Sequence, residues 1–205
     1  MLPGRLRVSF CFMGFVLPLL EGTGWHRNYI QWLKGMELPR EGLRVCFESL
    51  IELYEYLSDQ LLKINQKVKE LSQSLKYRQR LKLLCSVPGI GTLIGMEILV
   101  ELQDVERFKR PEELASYIGL TPSEYSTGQY VRQGRITRCG NKRVRTCLVE
   151  SSWILITKDP LMRLKYNKLK AMKGAKRAII AIARKLIIRI RRLLINNEPY
   201  VVGNC

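Results

Sequence analysis

The sequence has few of the residues from which metal sites, catalytic triads and disulfide scaffolds are built. Its 205 residues include one histidine, His26, and three aspartates, and no two of its six cysteines form a Cys-x-x-Cys pair. A structural zinc site and an extracellular disulfide scaffold are therefore not expected. Two-metal catalysis needs clustered carboxylates, and none lie among the basic residues. A Ser-His-Asp triad is also disfavoured, because His26 is in a different part of the chain from every loop serine.

Long apolar runs are equally scarce. Residues 8–20 form an apolar run of 13 residues behind two arginines. This run is similar to the start of a secretory signal but is shorter than the roughly 20 residues that span a bilayer. No small-residue cleavage motif follows it. A buried or remnant segment is therefore favoured over an export signal, and the sequence predicts a cytoplasmic protein with no membrane partner.

Acidic residues are also in short supply, with 18 Asp and Glu against 35 Lys and Arg and a formal net charge of +17. The excess is concentrated in residues 129–195, which hold 19 basic and 2 acidic side chains. A stretch with this balance repels itself unless an anion neutralises it, and counter-ion release from phosphates is the usual use of such a surface. We therefore predict a nucleic-acid partner, with an ordinary solvated basic surface as the alternative.

A heptad pattern of apolar residues runs through residues 50–75. Its members are Leu50, Tyr54, Leu57, Leu61, Ile64, Val68, Leu71 and Leu75. Alternating steps of three and four residues predict a coiled coil or an antiparallel helix pair, and so a homo-oligomer. An amphipathic helix packed on its own domain is the alternative.

The next motif is a helix interrupted by proline and glycine. Pro88 ends a short apolar helix, Gly89 and Gly91 permit a tight turn, and a second helix is predicted over 92–102. This order is typical of a helix-hairpin-helix, in which the amides at the second helix's N-terminus, here at Thr92, bind a phosphate. A plain helix–helix turn is the alternative.

The remainder of the chain is predicted to be largely helical. Helices are expected over 112–118, 142–156 and 175–195, with a loop or short β-hairpin around Gly134 and a basic connector over 158–173. The last helix could also lie on a membrane, although its basic neighbours favour nucleic acid. The predicted fold is mainly α: a long coiled-coil helix followed by a compact helical domain with a helix-hairpin-helix-like turn.

Hydroxyl side chains lie next to a series of arginines in the predicted loop. The hydroxyls belong to Ser123, Ser126 and Thr127, and the arginines are Arg132, Arg135 and Arg138. A hydroxyl can attack a phosphodiester when guanidinium groups neutralise the charge that develops on phosphorus. A hydroxyl-rich turn beside a phosphate-binding patch is the alternative.

Three runs of sequence resemble one known family. Residues 87–92, 107–128 and 134–145 contain Val-Pro-Gly-Ile-Gly-Thr, Ser-Tyr-Ile-Gly-Leu-Thr-Pro and Gly-Arg-Ile-Thr-Arg-Cys-Gly-Asn-Lys-Arg in that order. Together they resemble the C-terminal domain of the IS110/IS116/IS902 family of insertion-sequence transposases over roughly residues 80–157. The Trp-His-Arg-Asn-Tyr-Ile-Gln-Trp-Leu segment from Trp25 and the heptad helix are similar to the region that precedes this domain.

The resemblance implies a DNA recombinase guided by a structured RNA. Members of the family join a RuvC-like domain with metal-binding acids, a coiled coil, and a C-terminal domain with a nucleophilic serine. This chain has no room for the RuvC-like domain, so no cofactor is expected in it, and Mg²⁺ is expected only with that domain. The family's serine usually stands immediately before the glycine, where this chain has Thr127, with Ser126 one position earlier. The resemblance therefore implies Ser126 or Thr127 as nucleophile.

These observations predict four segments: a remnant and short helix over 1–42, a coiled-coil helix over 43–79, the transposase domain over 80–157 and a basic C-terminal helical extension over 158–205. The candidate nucleic-acid-binding residues are Gly89, Gly91, Thr92, Arg132, Arg135, Arg138, Lys142, Arg143, Arg145, Lys176, Arg177 and Arg184.

The functional prediction is a truncated transposase that binds DNA, is inactive alone, and acts with a guide RNA or a full-length copy. The alternative is a non-catalytic, nucleic-acid-binding fragment that oligomerises.

Overall fold

The computed structural model describes residues 27–36, 40–125, 127, 130, 133–137 and 139–203. The chain divides into two units, Met1–Lys63 and Ile64–Cys205. The helices are α1 (Arg27–Lys34), α2 (Glu41–Ser72), α3 (Leu75–Cys85), α4 (Thr92–Leu102), α5 (Pro111–Ile118), α6 (Lys142–Lys158), α7 (Pro160–Lys173) and α8 (Ala175–Asn196). Strands β1 (Pro122–Glu124) and β2 (Gln133–Ile136) pair as an antiparallel hairpin. The mainly α prediction is confirmed.

The first unit is held together by apolar side chains of α1 and the first part of α2. Ile30 and Leu33 of α1 pack with Phe47 and Ile51 of α2 in one buried cluster. At the cluster's edge Lys34 Nζ lies 2.8 Å from a carboxylate oxygen of Glu55. The short helix predicted within residues 1–42 is therefore present from Arg27 to Lys34, and residues 1–26 lie outside the described residues.

The residues of the heptad pattern lie on two helices and not on one. The helix α2 ends at Ser72, and Leu75 begins α3, so the last predicted member of the seam lies on the next helix. Ser72 is buried, and its Oγ donates a 2.6 Å hydrogen bond to the Lys69 carbonyl at the end of α2. Of the other members, Leu57, Leu61, Ile64 and Leu71 are exposed, whereas Val68 packs against the second unit's core. Coiled-coil pairing stays a prediction.

The core of the second unit surrounds α8. This helix buries nine side chains, among them Ile182, Leu186 and Ile190, against neighbours that include Leu148 and Leu155 of α6. Each aliphatic side chain buried in this way contributes about 1.5–3 kcal/mol. The same core includes residues of α3, α4, α5 and α7. Residues on both sides of position 157, where a domain boundary is predicted, therefore share one core.

The segment predicted as a basic connector is a helix. Pro160 occupies the first turn of α7, and the Asp159 carboxylate caps it by accepting hydrogen bonds from the amides of Leu161 (2.9 Å) and Met162 (3.2 Å). An aspartate before a proline is a helix-start signal. The basic connector predicted over 158–173, within the helical extension, is therefore itself a helix from Pro160 to Lys173.

The helices α4 and α5 have the predicted positions. The helix α4 covers 92–102, and α5 begins at Pro111 and ends at Gly119, whose φ of 77° lies in the left-handed region that glycine adopts without strain. Arg191 of α8 holds the turn before α5: its Nε and Nη2 donate to the Phe108 carbonyl at 3.0 and 2.8 Å. Among the described residues, no helix is long and apolar enough to cross a membrane.

Candidate functional site: the hairpin and the basic helix ends

The turn between α3 and α4 is fitted closely against α6. Gly89 has a φ of +92°, and a Cβ at this position would lie 2.7 Å from the Ser151 carbonyl oxygen and 2.9 Å from the Ile154 Cβ. The Ser151 hydroxyl donates a 2.9 Å hydrogen bond to the Gly89 carbonyl. The structure therefore uses Gly89 for its backbone conformation and for packing on α6.

The second glycine of the turn has different surroundings. Gly91 is exposed, and nothing lies within 4 Å of a Cβ built on it. It is the N-cap of α4, no side chain caps the helix there, and Thr92 is the first helical residue. Because the first amides of a helix have no partner within the helix, this end can accept an anion. The helix-hairpin-helix stays a prediction, with Gly91 and Thr92 as its accessible part.

The base of the hairpin is clamped by two glycines. A Cβ on Gly119 would collide with the Cys139 carbonyl oxygen, and a Cβ on Gly140, whose φ is +123°, would collide with the Tyr117 carbonyl oxygen. Arg145 Nη1 donates a 2.8 Å hydrogen bond to the Ile118 carbonyl across this contact. Arg145, predicted to bind nucleic acid, thus fastens α6 to the end of α5.

The hairpin reverses direction beyond its two strands. The pairs Pro122–Ile136 and Glu124–Gln133 are separated by an irregularity in register, and Thr127 and Tyr130 form an isolated antiparallel bridge. The hairpin predicted around Gly134 is present, although the chain reverses between Thr127 and Tyr130 and not at Gly134. Gly134 lies within β2, where a Cβ would collide with the Ser123 hydroxyl and approach the Tyr125 ring to 3.2 Å. This lack of space explains why position 134 is a glycine.

Thr127 is exposed and stands beside the reversal. Ser123 is in β1 and half-buried. Ser126, Arg132 and Arg138 lie outside the described residues, and Arg135 is in β2. Thr127, which stands where the resemblance expects a serine, therefore lies at the exposed end of the hairpin. The base of this hairpin is fixed by Gly119 and Gly140.

Basic side chains occur at the N-termini of two helices. Lys142 and Arg143 are exposed in the first turn of α6, and Lys176 and Arg177 are exposed in the first turn of α8. Neither first turn contains an acidic residue. A cation at the positive end of the helix dipole costs about 0.3–1 kcal/mol unless an anion is present. Both helix ends are therefore suited to a phosphate. Arg184, also predicted as a contact, is half-buried further along α8.

Two glutamates of α4 face the start of α6. The Asn141 side chain caps α6 by accepting hydrogen bonds from the amides of Arg143 (2.9 Å) and Val144 (3.1 Å). Hydrogen bonds from Asn141 and then from Tyr117, whose hydroxyl lies 2.8 Å from Glu101 Oε1, lower the pKa of Glu101. These contacts hold the first turn of α6 in place.

The second glutamate contacts a cysteine. Cys147 Sγ lies 3.1 Å from Glu97 Oε2, and burial together with this carboxylate raises the pKa of Cys147 to about 11. The thiol is therefore protonated at neutral pH and acts as a hydrogen-bond donor to Glu97. Within the described ranges, no three His, Cys, Asp or Glu side chains converge as a metal site.

A buried polar cluster that the sequence reasoning missed ties the tail to the domain. The Tyr200 hydroxyl donates a 2.5 Å hydrogen bond to Asp159 Oδ2 and accepts one of 2.6 Å from Arg189 Nη1. Burial, followed by the hydrogen bond to Asp159, raises the pKa of Tyr200. Burial alone would raise the pKa of Asp159, but hydrogen bonds from Tyr200 and from backbone amides lower it overall. Arg189 is therefore a structural arginine within the basic stretch.

Comparison with known proteins identifies the family that the second unit resembles. Residues 81–167, which run from α3 into α7 and include the hairpin, match the family model described as "Transposase IS116/IS110/IS902 family". Over residues 81–167 the chain thus matches the transposase domain of the IS116/IS110/IS902 family, as the resemblance predicted.

Three curated relatives support the assignment. A putative transposase of Sinorhizobium fredii, y4qE, is 25% identical over 63% of this chain and 30% of its own length. The transposase for insertion sequence element IS1111A of Coxiella burnetii is 28% identical over 74% of this chain and 43% of its own length. The pilin gene-inverting protein of Moraxella lacunata is 31% identical over 70% and 46%. The chain thus spans less than half the length of each of these relatives.

Proposed function

We propose that this chain takes part in DNA transposition, binding DNA through the basic ends of α6 and α8 and presenting the Thr127 hydroxyl to a phosphodiester. The observation that carries the proposal is the position of Thr127, exposed at the end of a hairpin that Gly119 and Gly140 clamp onto a domain of the transposase family. A fixed base and an exposed hydroxyl are what a nucleophile acting on an external strand requires.

Charge supports the DNA-binding part of the proposal. Residues 129–195 carry 19 basic side chains against Glu150 and Asp159. Asp159 is buried and hydrogen-bonded to Tyr200, so it does not offset the surface charge. The exposed pairs Lys142–Arg143 and Lys176–Arg177 add to the positive helix ends. Such a surface releases counter-ions when it binds the phosphates of a duplex.

The chemical step is a transesterification. The Thr127 Oγ1 attacks phosphorus and forms a new P–O bond, while the bond from phosphorus to one deoxyribose oxygen breaks. The threonine proton passes to solvent and the leaving deoxyribose oxygen takes one up, so a phosphodiester is exchanged for a protein phosphodiester without an oxidant or reductant. Arginine guanidinium groups stabilise the additional negative charge at the transition state.

Ser126 is the second candidate nucleophile. It lies outside the described residues, and the resemblance implies it because the family's nucleophile is a serine, although Ser126 is one position further from the glycine than Thr127. The additional methyl group of Thr127 restricts χ1 and limits the directions from which its hydroxyl can attack. Both hydroxyls are therefore tested together.

A homo-oligomer, a structured guide RNA and a full-length transposase are the proposed partners. Leu57, Leu61 and Ile64 of α2 are exposed with helical spacing, which favours association through this helix. A guide RNA would use the same phosphate-binding surface. Mg²⁺ belongs, by resemblance, to a RuvC-like domain, and no step proposed for this chain passes through it.

The experiment is a search for a protein–DNA ester. The chain is incubated with supercoiled and nicked DNA, denatured, and examined for a covalent adduct. We expect an adduct that is lost in Thr127→Ala or Ser126→Ala and retained in Thr157→Ala, an exposed threonine whose hydroxyl bonds only within α6. Loss of the adduct in the Thr157 variant as well would contradict a specific nucleophile.

A second candidate function is non-catalytic binding of nucleic acid by an oligomer. The exposed apolar residues of α2 and the basic ends of α6 and α8 favour it, because neither feature depends on the hairpin. Salt-sensitive binding with no adduct under any condition would support this function over transposition chemistry.

A further inference from the structure

Two exposed tyrosines flank Thr127 on the hairpin. The Tyr125 side chain is 69% exposed and the Tyr130 side chain 82% exposed, although both lie in a unit with a well-formed apolar core. Burying an aromatic side chain is strongly favourable. Exposed aromatic rings beside the Thr127 hydroxyl therefore indicate a binding site for a partner.

The bridge between Thr127 and Tyr130 places the side chains of these two residues on one face of the hairpin. Glu124–Gln133 and Thr127–Tyr130 share the same antiparallel register. Directly opposed residues project from the same face with Cβ atoms about 4.5–5.5 Å apart. The Tyr130 ring and the Thr127 hydroxyl therefore share a face, and Tyr125 lies two residues before Thr127 in the chain.

The orientation of Tyr125 is set by Gly134. The Tyr125 ring carbon Cε2 lies 3.2 Å from the position that a Cβ of Gly134 would occupy. One side of the ring thus rests on the β2 backbone, as aromatic side chains often do across from a strand glycine. The other side faces solvent and has the flat, apolar shape on which a nucleobase stacks.

We propose that Tyr125 and Tyr130 form a stacking platform for unpaired bases, which holds a single strand beside the Thr127 hydroxyl. The proposal rests on the proposed function and deepens it by defining the substrate as an unpaired strand at the site of attack. A base inside a duplex has both faces covered by its neighbours, so the platform can bind a base only where stacking is interrupted. The basic stretch that contains the hairpin supplies the charge that attracts the strand.

The test measures binding of the full chain to oligonucleotides of one sequence as single-stranded DNA, single-stranded RNA and duplex DNA. Removing a base-stacking aromatic side chain costs about 5- to 140-fold in affinity for a single strand. We expect Tyr125→Ala and Tyr130→Ala each to show this loss, Tyr125→Phe and Tyr130→Phe to retain affinity, and duplex binding to stay within about twofold of the unsubstituted chain. Loss for single-stranded DNA, with or without loss for single-stranded RNA, supports the proposal, whereas loss for single-stranded RNA alone overturns it.

Two controls separate stacking from folding. Tyr56→Ala removes a tyrosine of similar exposure, 61%, from α2, and should not change single-strand affinity. Gly134→Ala keeps both tyrosines but displaces the Tyr125 ring, so it should reproduce the Tyr125→Ala loss, whereas Gly42→Ala, with nothing within 4 Å, should not.

Single-strand affinity that is unchanged in both alanine variants, while duplex binding persists, would overturn the platform and leave DNA binding intact. If the alanine variants lose affinity equally for single strands and for duplex DNA, the platform would also be overturned, because only an unpaired base can stack on it. If the unsubstituted chain binds no nucleic acid, the proposed function fails and the platform fails with it.

Discussion

Thr127 and Tyr130 exchange two backbone hydrogen bonds, each of 3.2 Å, in which the amide of one donates to the carbonyl of the other. This bridge lies beyond the end of the paired strands and holds the exposed part of the hairpin in register. It sets the threonine hydroxyl and the tyrosine ring side by side. The chemistry proposed for Thr127 and the stacking proposed for Tyr130 both depend on this pair.

The glycine clamp at the hairpin's base should be sensitive to a single methyl group. Gly119→Ala adds a Cβ where φ is +77° and where the Cys139 carbonyl blocks it, whereas Gly42→Ala, within α2, meets nothing within 4 Å. The left-handed conformation alone costs about 1–2 kcal/mol. We expect urea unfolding to show a loss larger than this for Gly119→Ala and no loss for Gly42→Ala. A loss of only about 1–2 kcal/mol for Gly119→Ala would mean that the contact with Cys139 carries no free energy.

The Tyr200 cluster should make stability depend on pH. The pKa of Asp159 is lowered in the folded chain, so its contribution is present above the ordinary value of 3.8 and is lost as pH falls through the folded value. Tyr200→Phe removes a donor from this buried carboxylate, which should cost about 1–3 kcal/mol in unfolding free energy at neutral pH.

The same substitution should reduce the loss of stability in acid, because less of the Asp159 pKa shift remains. The pKa of Tyr200 is raised by folding, so its neutral form stabilises the chain below the ordinary value of 10.0, and this stability falls as pH rises further. Unfolding curves at neutral, acidic and alkaline pH test both directions. An acid profile identical in the two proteins would contradict the assignment to Asp159.

The basic residues of α8 should fall into two groups, those that bind DNA and those that stabilise the fold. Lys176 and Arg177 are exposed, whereas Arg191 donates to the Phe108 and Lys109 carbonyls. Lys176→Gln with Arg177→Gln should weaken duplex binding and reduce the slope of log affinity against log salt by about 0.9 for each phosphate that the variant no longer neutralises. Arg191→Gln should instead lower the unfolding free energy by about 1.5–3 kcal/mol. A salt slope unchanged in the double variant would exclude these two cations as phosphate ligands.

Association through α2 can be tested with two adjacent leucines. Leu61 is on the heptad seam and 59% exposed, and Leu62 is off the seam and 64% exposed. If helices pair through the seam, Leu61→Lys places a charge in the interface and should shift the chain toward the monomer, whereas Leu62→Lys should not. Sedimentation velocity at several concentrations measures the difference, and an equal effect of both lysines would argue against a heptad interface.

Much of the helical architecture could be predicted from local signals. Thr92 to Leu102 and the helix from Pro111 to Gly119 have the predicted limits because proline, glycine and apolar spacing act within a few residues. The helix over Pro160–Lys173, within the predicted helical extension, likewise begins at a local signal, the Asp159 cap followed by Pro160. Residues that bond across long stretches of chain, such as Tyr200 with Asp159, left no local pattern to detect.

Composition, helix periodicity and the family's motifs were enough to establish a basic, mainly helical transposase domain, because each depends on residue type and short spacing. The roles of individual residues were decided by tertiary structure. Gly89 packs on Ser151 and Arg145 donates to the Ile118 carbonyl, two contacts that the sequence did not predict, while binding of nucleic acid by these residues stays a prediction. These contacts join residues up to 62 positions apart. Only the folded chain brings such groups together, because packing depends on distance in space and not on distance along the sequence.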